Sequence, residues 1–152
     1  MNTWFAFREQ KKRETEAREK QTERRREAMN AQEVLQSLVE QIKEKEGSRG
    51  LIILEGRYGQ LSPSSSSTAH ENSIKVIDVT VPLQALVKDS NLRIGTTVSK
   101  SNLTGFYDPC IGEEKSLFIK YSFGSQIHTV LYKDTDPIVL PNRGNEKAHL
   151  LL

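Results

Sequence analysis

The chain has 152 residues, and its charges nearly cancel, 22 Lys and Arg against 20 Asp and Glu. That length allows one ordinary domain with an appendage, and the balance provides no overall field to recruit nucleic acid or membrane. A single cysteine excludes an internal disulfide, and no apolar run approaches the roughly 18 residues that a membrane span needs.

The N-terminus has no apolar core of a secretory signal, and Glu9, Glu14 and Glu16 make it too acidic for a transit peptide. These features lead to the expectation of a soluble, intracellular chain.

Residues 1–46 read as one charged helix. Between 8 and 46 there is no Gly, no Pro and little β-branching, a composition that favours helix. Glu9 with Arg13, Glu14 with Arg18 and Glu16 with Lys20 stand one turn apart and give about 0.2–0.5 kcal/mol each. Up to Glu27 there is no apolar stripe, so this part has no face to bury. Trp4, Phe5 and Phe7 stand out at its start, three aromatics that want a partner, a membrane surface or an upstream domain.

From about residue 28 the helix becomes amphipathic. Ala28, Ala31, Leu35, Leu38 and Ile42 recur at spacings of three and four, with Val34 and Val39 widening the stripe. Gly47 ends it, with Lys43 and Lys45 in the last turn. Ala31, Leu35, Leu38 and Ile42 are the expected docking face onto the downstream domain. A short coiled coil with a partner is the competing explanation.

Residues 47–142 read as β structure. "GLIILEGRYG" is a compact apolar run. A Ser-rich loop over 60–73 follows, too polar to order itself by burial. "IKVIDVTV" reads as a strand with Ile77, Val79 and Val81 on one face, stopped by Pro82. "LQALVKDSNLRI" is ambiguous between helix and hairpin, and Asp89-Ser90-Asn91 tips the reading to a hairpin. "SLFIKYSFGSQIHTVLY" is the clearest hairpin, with strict alternation on both sides of Gly124-Ser125. "PIVL" makes a last short strand before Pro141, and residues 143–152 form a tail. The expected fold is mainly β: an antiparallel sandwich-like domain of about seven strands, preceded by the long helix and covered by it on one face.

The search for chemistry is brief. Metal-ligand spacings, a phosphate loop and cofactor motifs are all missing from the sequence, so no catalytic, cofactor-binding or metal residue is assigned. Glu113 and Glu114 read as a solvated strand entrance. Arg24-Arg25-Arg26 is flanked by Glu23 and Glu27 and lacks interleaved aromatics, so it reads as a solvated helix face. No nucleic acid is expected as a partner. Cys110 has no His at an informative spacing and reads as a small buried hydrophobe. A thiol enzyme using Cys110 is the weakest alternative.

"GFYDPCIGEEK", residues 105–115, is the densest stretch. Gly105 and Gly112 permit unusual backbone angles, and Asp108-Pro109 sets a turn. Phe106, Tyr107, Asp108 and Pro109 form the candidate partner-contact loop. Pinning of the two aromatics onto the core is the plainer reading.

"GLIILEGRYG", "VIDVTVPLQALVKDSNL" and "GFYDPCIGEEKSLFIKYSF" closely resemble the C-terminal domain of the DnaJ homologue subfamily C member 11 family. The likeness runs over about 28–141. It implies a non-enzymatic module associated with the mitochondrial outer membrane. It also implies protein partners in the assembly that bridges outer and inner membranes and organises cristae. Full-length family members begin with a J domain, whose His-Pro-Asp tripeptide stimulates a chaperone ATPase. That tripeptide does not occur here, so co-chaperone activity is not carried over. With no span in the sequence, the expected membrane association is peripheral.

Overall fold

The computed structural model describes residues 2–61, 75–95 and 99–142. The greater part of the Ser-rich loop expected over 60–73, and the tail over 143–152, lie outside the described residues.

Helix α1 runs Asn2–Glu46, about 67 Å at 1.5 Å per residue. It ends where Gly47 takes φ +68° and donates its N–H to the Lys43 carbonyl at 3.0 Å, a left-handed cap for which glycine has no steric cost. From Thr3 to Lys20 only Glu9 is even partly covered. Ala28 and Val39 are buried, and Ala31, Leu35 and Ile42 are half-buried.

Six strands follow among the described residues, in two antiparallel sheets. The larger has the order β2-β1-β4-β5, built from β1 (Ile52–Gly59), β2 (Val76–Asp78), β4 (Ser116–Phe123) and β5 (Gln126–Lys133). The smaller pairs β3 (Leu92–Ile94) with β6 (Ile138–Leu140). One core joins both sheets: Leu92, Ile138 and Leu140 cluster with Ile53, Tyr58, Leu117, Ile119, Tyr121, Val130 and Tyr132. The long helix and antiparallel sheets expected from sequence are present, with six described strands where about seven were expected.

The β4–β5 hairpin follows its alternation. Leu117, Ile119 and Tyr121 are fully buried, while Phe118, Lys120 and Ser122 face the other side. Gly124 and Ser125 take φ +59° and +67°, the left-handed pair that matches the twist of a two-residue hairpin. In β1 the register against β4 shifts between Ile53 and Glu55. This bulge places the extra Leu54 outward and changes the phase, so Ile53, Gly56 and Tyr58 all point inward.

The segment after β2 differs from expectation. The strand read through Val81 ends at Asp78, and helix α2 (Thr80–Ala85) begins immediately. Pro82 sits in the first turn of α2, where a missing N–H costs nothing and the fixed φ helps. The expected hairpin contracts to a tight turn in which Lys88 and Asn91 exchange both backbone hydrogen bonds, at 2.8 and 3.0 Å. Asp89 and Ser90 adopt φ +51° and +58° there. Asp89-Ser90-Asn91 does form a turn, as its chemistry predicts, but the upstream arm is helix. Gln84, wholly buried in α2, explains the preference: its Oε1 accepts from Ile53 N at 2.7 Å, and its Nε2 donates to the Leu51 carbonyl at 3.2 Å. A buried amide with both ends satisfied takes the place of a strand on the start of β1.

Candidate functional site

The loop at 105–110 lies between α1 and the sheet, and every side chain of the predicted contact set has a packing role. Phe106 is buried and meets the Tyr58 ring edge-on, with centroids 5.4 Å apart. Tyr107 is half-buried against the core, and burial pushes its phenol pKa up against the opposing pull of Arg25. Asp108 uses both oxygens: Oδ1 accepts from Cys110 N at 2.9 Å, and Oδ2 pairs with Lys115 Nζ at 3.2 Å. Pro109 stands against Gly59. Gly105 permits the close approach: its φ is +85°, and a Cβ there would meet Pro82 Cγ at 2.6 Å.

Helix α1 holds this loop through glutamines. Gln32 Nε2 donates to the carbonyls of Gly105 at 2.9 Å and Asp78 at 3.1 Å, and Gln21 Nε2 donates to the Asp108 carbonyl. The face that docks is therefore Gln21, Ala28, Gln32, Leu35, Val39, Ile42 and Glu46, at spacings that keep one side of a helix. Of the predicted face, Ala31, Leu35 and Ile42 border the domain, whereas Leu38 is 43% exposed and its neighbour Val39 takes the buried place. An apolar count misses the glutamines and Glu46, whose i, i+3, i+4 spacing with the buried residues was the available signal. Between Arg24, Glu27, Ala28 and Ala31 on the helix and residues 101–108 lies an open groove of about 380 Å³.

At its other end α1 is fastened by Glu46. Its Oε1 accepts from Ser90 Oγ at 2.6 Å and Leu51 N at 2.9 Å, and Oε2 accepts from Ser90 N at 3.2 Å. Burial alone would raise this carboxyl, but those hydrogen bonds outweigh it and hold the pKa below the usual range.

Cys110 is buried and reduced. Burial pushes its thiol pKa up, more than Lys115 nearby pulls it down. That is the opposite of the electropositive setting that makes a thiolate nucleophile. Among the described residues no group of three His, Cys, Asp or Glu is placed to hold a metal ion. No described helix is long and apolar enough to cross a membrane.

A second cluster escaped the sequence reading. Asp134 accepts from Tyr58 Oη at 2.6 Å, Ser99 Oγ at 2.7 Å and Lys100 N at 3.0 Å. Burial raises the Asp134 pKa and these donors lower it further, so it lies below the ordinary carboxylate value. Burial, joined by Asp134, pushes the Tyr58 phenol well above its usual range. Lys100, only 2% exposed, starts a single 3-10 turn (Lys100–Asn102). Its Nζ donates to the carbonyls of Lys133, Asp134 and Asp136 at 2.9, 2.6 and 2.7 Å. Burial lowers its pKa while Asp134 and Asp136 support the charge. All three ammonium protons and both carboxylate oxygens are engaged within the fold, so the cluster ties the 99–102 turn to the end of β5. The hydrogen bonds that join its two sides span 33 to 76 residues of sequence, and no local motif announces them.

The family model for the C-terminal region of DnaJ-like protein C11 matches residues 11–141. The chain belongs to this family. The match includes most of α1, both sheets and the loop at 105–110, and so covers the whole docked assembly just described. DnaJ homolog subfamily C member 11 of Mus musculus is 43% identical over 145 residues, 91% of this chain and 25% of the relative. The Bos taurus protein of the same name is 42% identical over 145 residues, again 91% and 25%. The Dictyostelium discoideum homolog is 38% identical over 143 residues, 88% of this chain and 24% of the relative. The chain thus spans about a quarter of the length of these curated relatives. No solved structure matches it.

Proposed function

We propose that the chain is a non-enzymatic protein-interaction and scaffold module, acting at mitochondrial membranes within the assembly that bridges the outer and inner membranes. The observation that carries this reading is α1. From Gln21 to Glu46 it is fastened to the 105–108 loop, to α2 and to the 88–91 turn through Gln21, Gln32 and Glu46, while residues 3–20 stand almost wholly in solvent. A polar helix fastened along one part and exposed along the rest is a spacer or a handle, since such polarity gives it no core of its own. Family membership supports the cellular part of the reading through the resemblance to DnaJ homologue subfamily C member 11. The burial and raised pKa of Cys110 argue against a thiol enzyme. Burial of Ala28 and Val39 on the chain's own domain takes part of the stripe that a coiled coil would use, and leaves Val34 and Leu38 exposed.

A tagged chain expressed in cells tests this. It should fractionate with mitochondria, be extracted by alkaline carbonate, and co-migrate with a large membrane-bridging assembly on a native gel. A photo-crosslinker at Thr104, exposed on the groove beside α1, should trap a protein of that assembly. A chain found wholly in the cytosol would end the localisation claim.

A further inference from the structure

The larger sheet has two edges, and they are built differently. At one, β2 is three residues long and leads directly into α2, which leaves little edge to pair. At the other, β5 runs for eight residues in unbroken register against β4, without a bulge or a Pro. Between Gln126 and Tyr132 it has no Lys, Arg, Asp or Glu. Bonding to β4 falls to Gln126, His128, Val130 and Tyr132, and the same phase continues in Asp134 N, which donates to the Lys115 carbonyl at 3.1 Å. Ile127, Thr129, Leu131 and Lys133 therefore turn their backbone groups outward. At Lys133 these groups are met within the chain: N donates to Asp136 Oδ2 at 2.9 Å, and the carbonyl accepts from Lys100 Nζ at 2.9 Å. At Ile127, Thr129 and Leu131 they have no partner among the described residues.

We propose that this edge pairs with the same edge of a second copy of the chain, β5 against β5 in antiparallel sense, joining the two larger sheets into one. The residues of the edge select this occupant. With Thr129 on the twofold axis, Ile127 of each copy lies opposite Leu131 of the other, and every outward N–H and C=O of these three residues meets its counterpart. Neighbouring registers fail. An axis at His128 sets Leu131 against the turn at Ser125, and an axis at Val130 sets Ile127 against Lys133, whose groups are already taken. Ile127, 63% exposed, and half-buried Leu131 share the outer face of the sheet, so the Thr129 register also gives an apolar cross-strand pair on each side of the axis. Lys133 falls opposite Ser125, and no like charges meet. A strand of another protein would find no charged side chain along this edge to select it. Helix α1 leaves the edge clear, because it rests on α2, which packs on β1, two strands in from β5. The pairing does not depend on the mitochondrial reading.

A single strand pair makes an interface smaller than the roughly 1,200 Å² of standard complexes, so the dimer should be weak and concentration-dependent. Sedimentation of the intact chain from about 1 μM to about 1 mM should show a monomer–dimer equilibrium. Thr129→Pro removes only an outward N–H, which an edge strand tolerates, and Thr129→Lys sets like charges on the axis. Each should weaken association by about tenfold or more, and circular dichroism checks that both variants fold. Disulfide trapping in a Cys110→Ser background reads the register. Opposed residues lie about 5.5 Å apart at Cα, within reach of a disulfide, so Thr129→Cys should cross-link to itself. Ile127→Cys and Leu131→Cys should link when mixed and far less when each is alone. Lys120→Cys, one strand in on the same face, should not link, since two copies would lie about 14 Å apart. A chain that stays monomeric to about 1 mM would overturn the proposal and leave the edge to a strand of another protein. A dimer unchanged by both Thr129 variants, or cross-linking at Lys120 equal to that at Thr129, would overturn it as well.

Discussion

The Ser90 hydroxyl donates to the Glu46 carboxylate at 2.6 Å across 44 residues of sequence, locking the last turn of α1 onto the tight turn before β3. The same carboxylate caps Leu51 N, so one side chain fixes the helix end, the entry to β1 and the 88–91 turn. Removing it leaves several donors without a partner.

Glu46→Ala should lower unfolding free energy by about 1–3 kcal/mol, and Ser90→Ala by about 1 kcal/mol, in urea denaturation. The pH dependence has a definite sign. The folded pKa of Glu46 lies below its unfolded value, so its contribution is complete above the unfolded pKa and is lost as pH falls through the folded one. The stability gap between the parent and Glu46→Gln should therefore narrow below about pH 4. A gap that widens on acidification would contradict the hydrogen-bond assignment.

Tyr58, Ser99 and the Lys100 amide converge on Asp134, and a network of this kind behaves as a unit. Tyr58→Phe should cost about 1 kcal/mol and Asp134→Asn about 1–3 kcal/mol. The double variant should cost less than their sum, because each change already breaks the shared bond. Strict additivity by thermal or urea denaturation would show that the two groups do not communicate. The Asp134 pKa is depressed in the folded state, so this contribution too is present at neutral pH and lost as pH falls through the depressed value.

How much of this was legible depends on the range of the interaction. The β4–β5 hairpin is written locally, in the alternation around Gly124-Ser125, and its register follows. Helix α1 is equally local, yet its docking face is not: Leu38 and Val39 are both apolar, and only Gln32 and Glu46 on the Val39 side reveal which one turns inward. Pro82 reads as a stop when seen as an isolated signal, whereas Asp78 accepting from Thr80 N at 2.9 Å starts a helix around it. The β3–β6 pair and the Asp134 network join distant residues without any periodic pattern. The resemblance to a known family carried the functional reading further than any side-chain constellation did.

The loop at 105–110 should tolerate little at Gly105. An added Cβ would press on Pro82 in a left-handed backbone conformation, where a non-glycine residue costs about 1–2 kcal/mol before any clash. Gly105→Ala should lower the melting temperature clearly. Phe106→Ala should cost about 3–5 kcal/mol by emptying the space against Tyr58. If Phe106→Ala left stability intact, the ring would be freed for the contact role and the pinned reading of the loop would fail.

Cys110 should alkylate slowly under native conditions. Its thiol is covered, and burial holds its pKa above the usual value, so little thiolate exists at neutral pH. The rate with iodoacetamide should rise only at alkaline pH or on addition of denaturant, and Cys110→Ser should leave the proposed mitochondrial association unchanged. A fast reaction near pH 6 would mean a thiolate that the surroundings described here do not provide.

Hydrogen exchange should divide α1 in two. Residues 3–20 have no tertiary partner among the described residues to resist opening, and a helix of that length is marginal on its own in water. Their amides should exchange quickly even though the helix is continuous in the fold. Gln21 makes the first bond to the domain. From Ala28 onward buried contacts add to the helical hydrogen bonds, so protection should rise there and approach that of β4 near Val39. Gln32→Ala removes the amide that bridges Gly105 and Asp78, and should move the boundary of protection toward Leu35 while leaving the sheets unchanged. Uniformly slow exchange from Thr3 to Glu46 in the free chain, at concentrations that exclude self-association, would show that the exposed half has a packing partner of its own and is not a free arm.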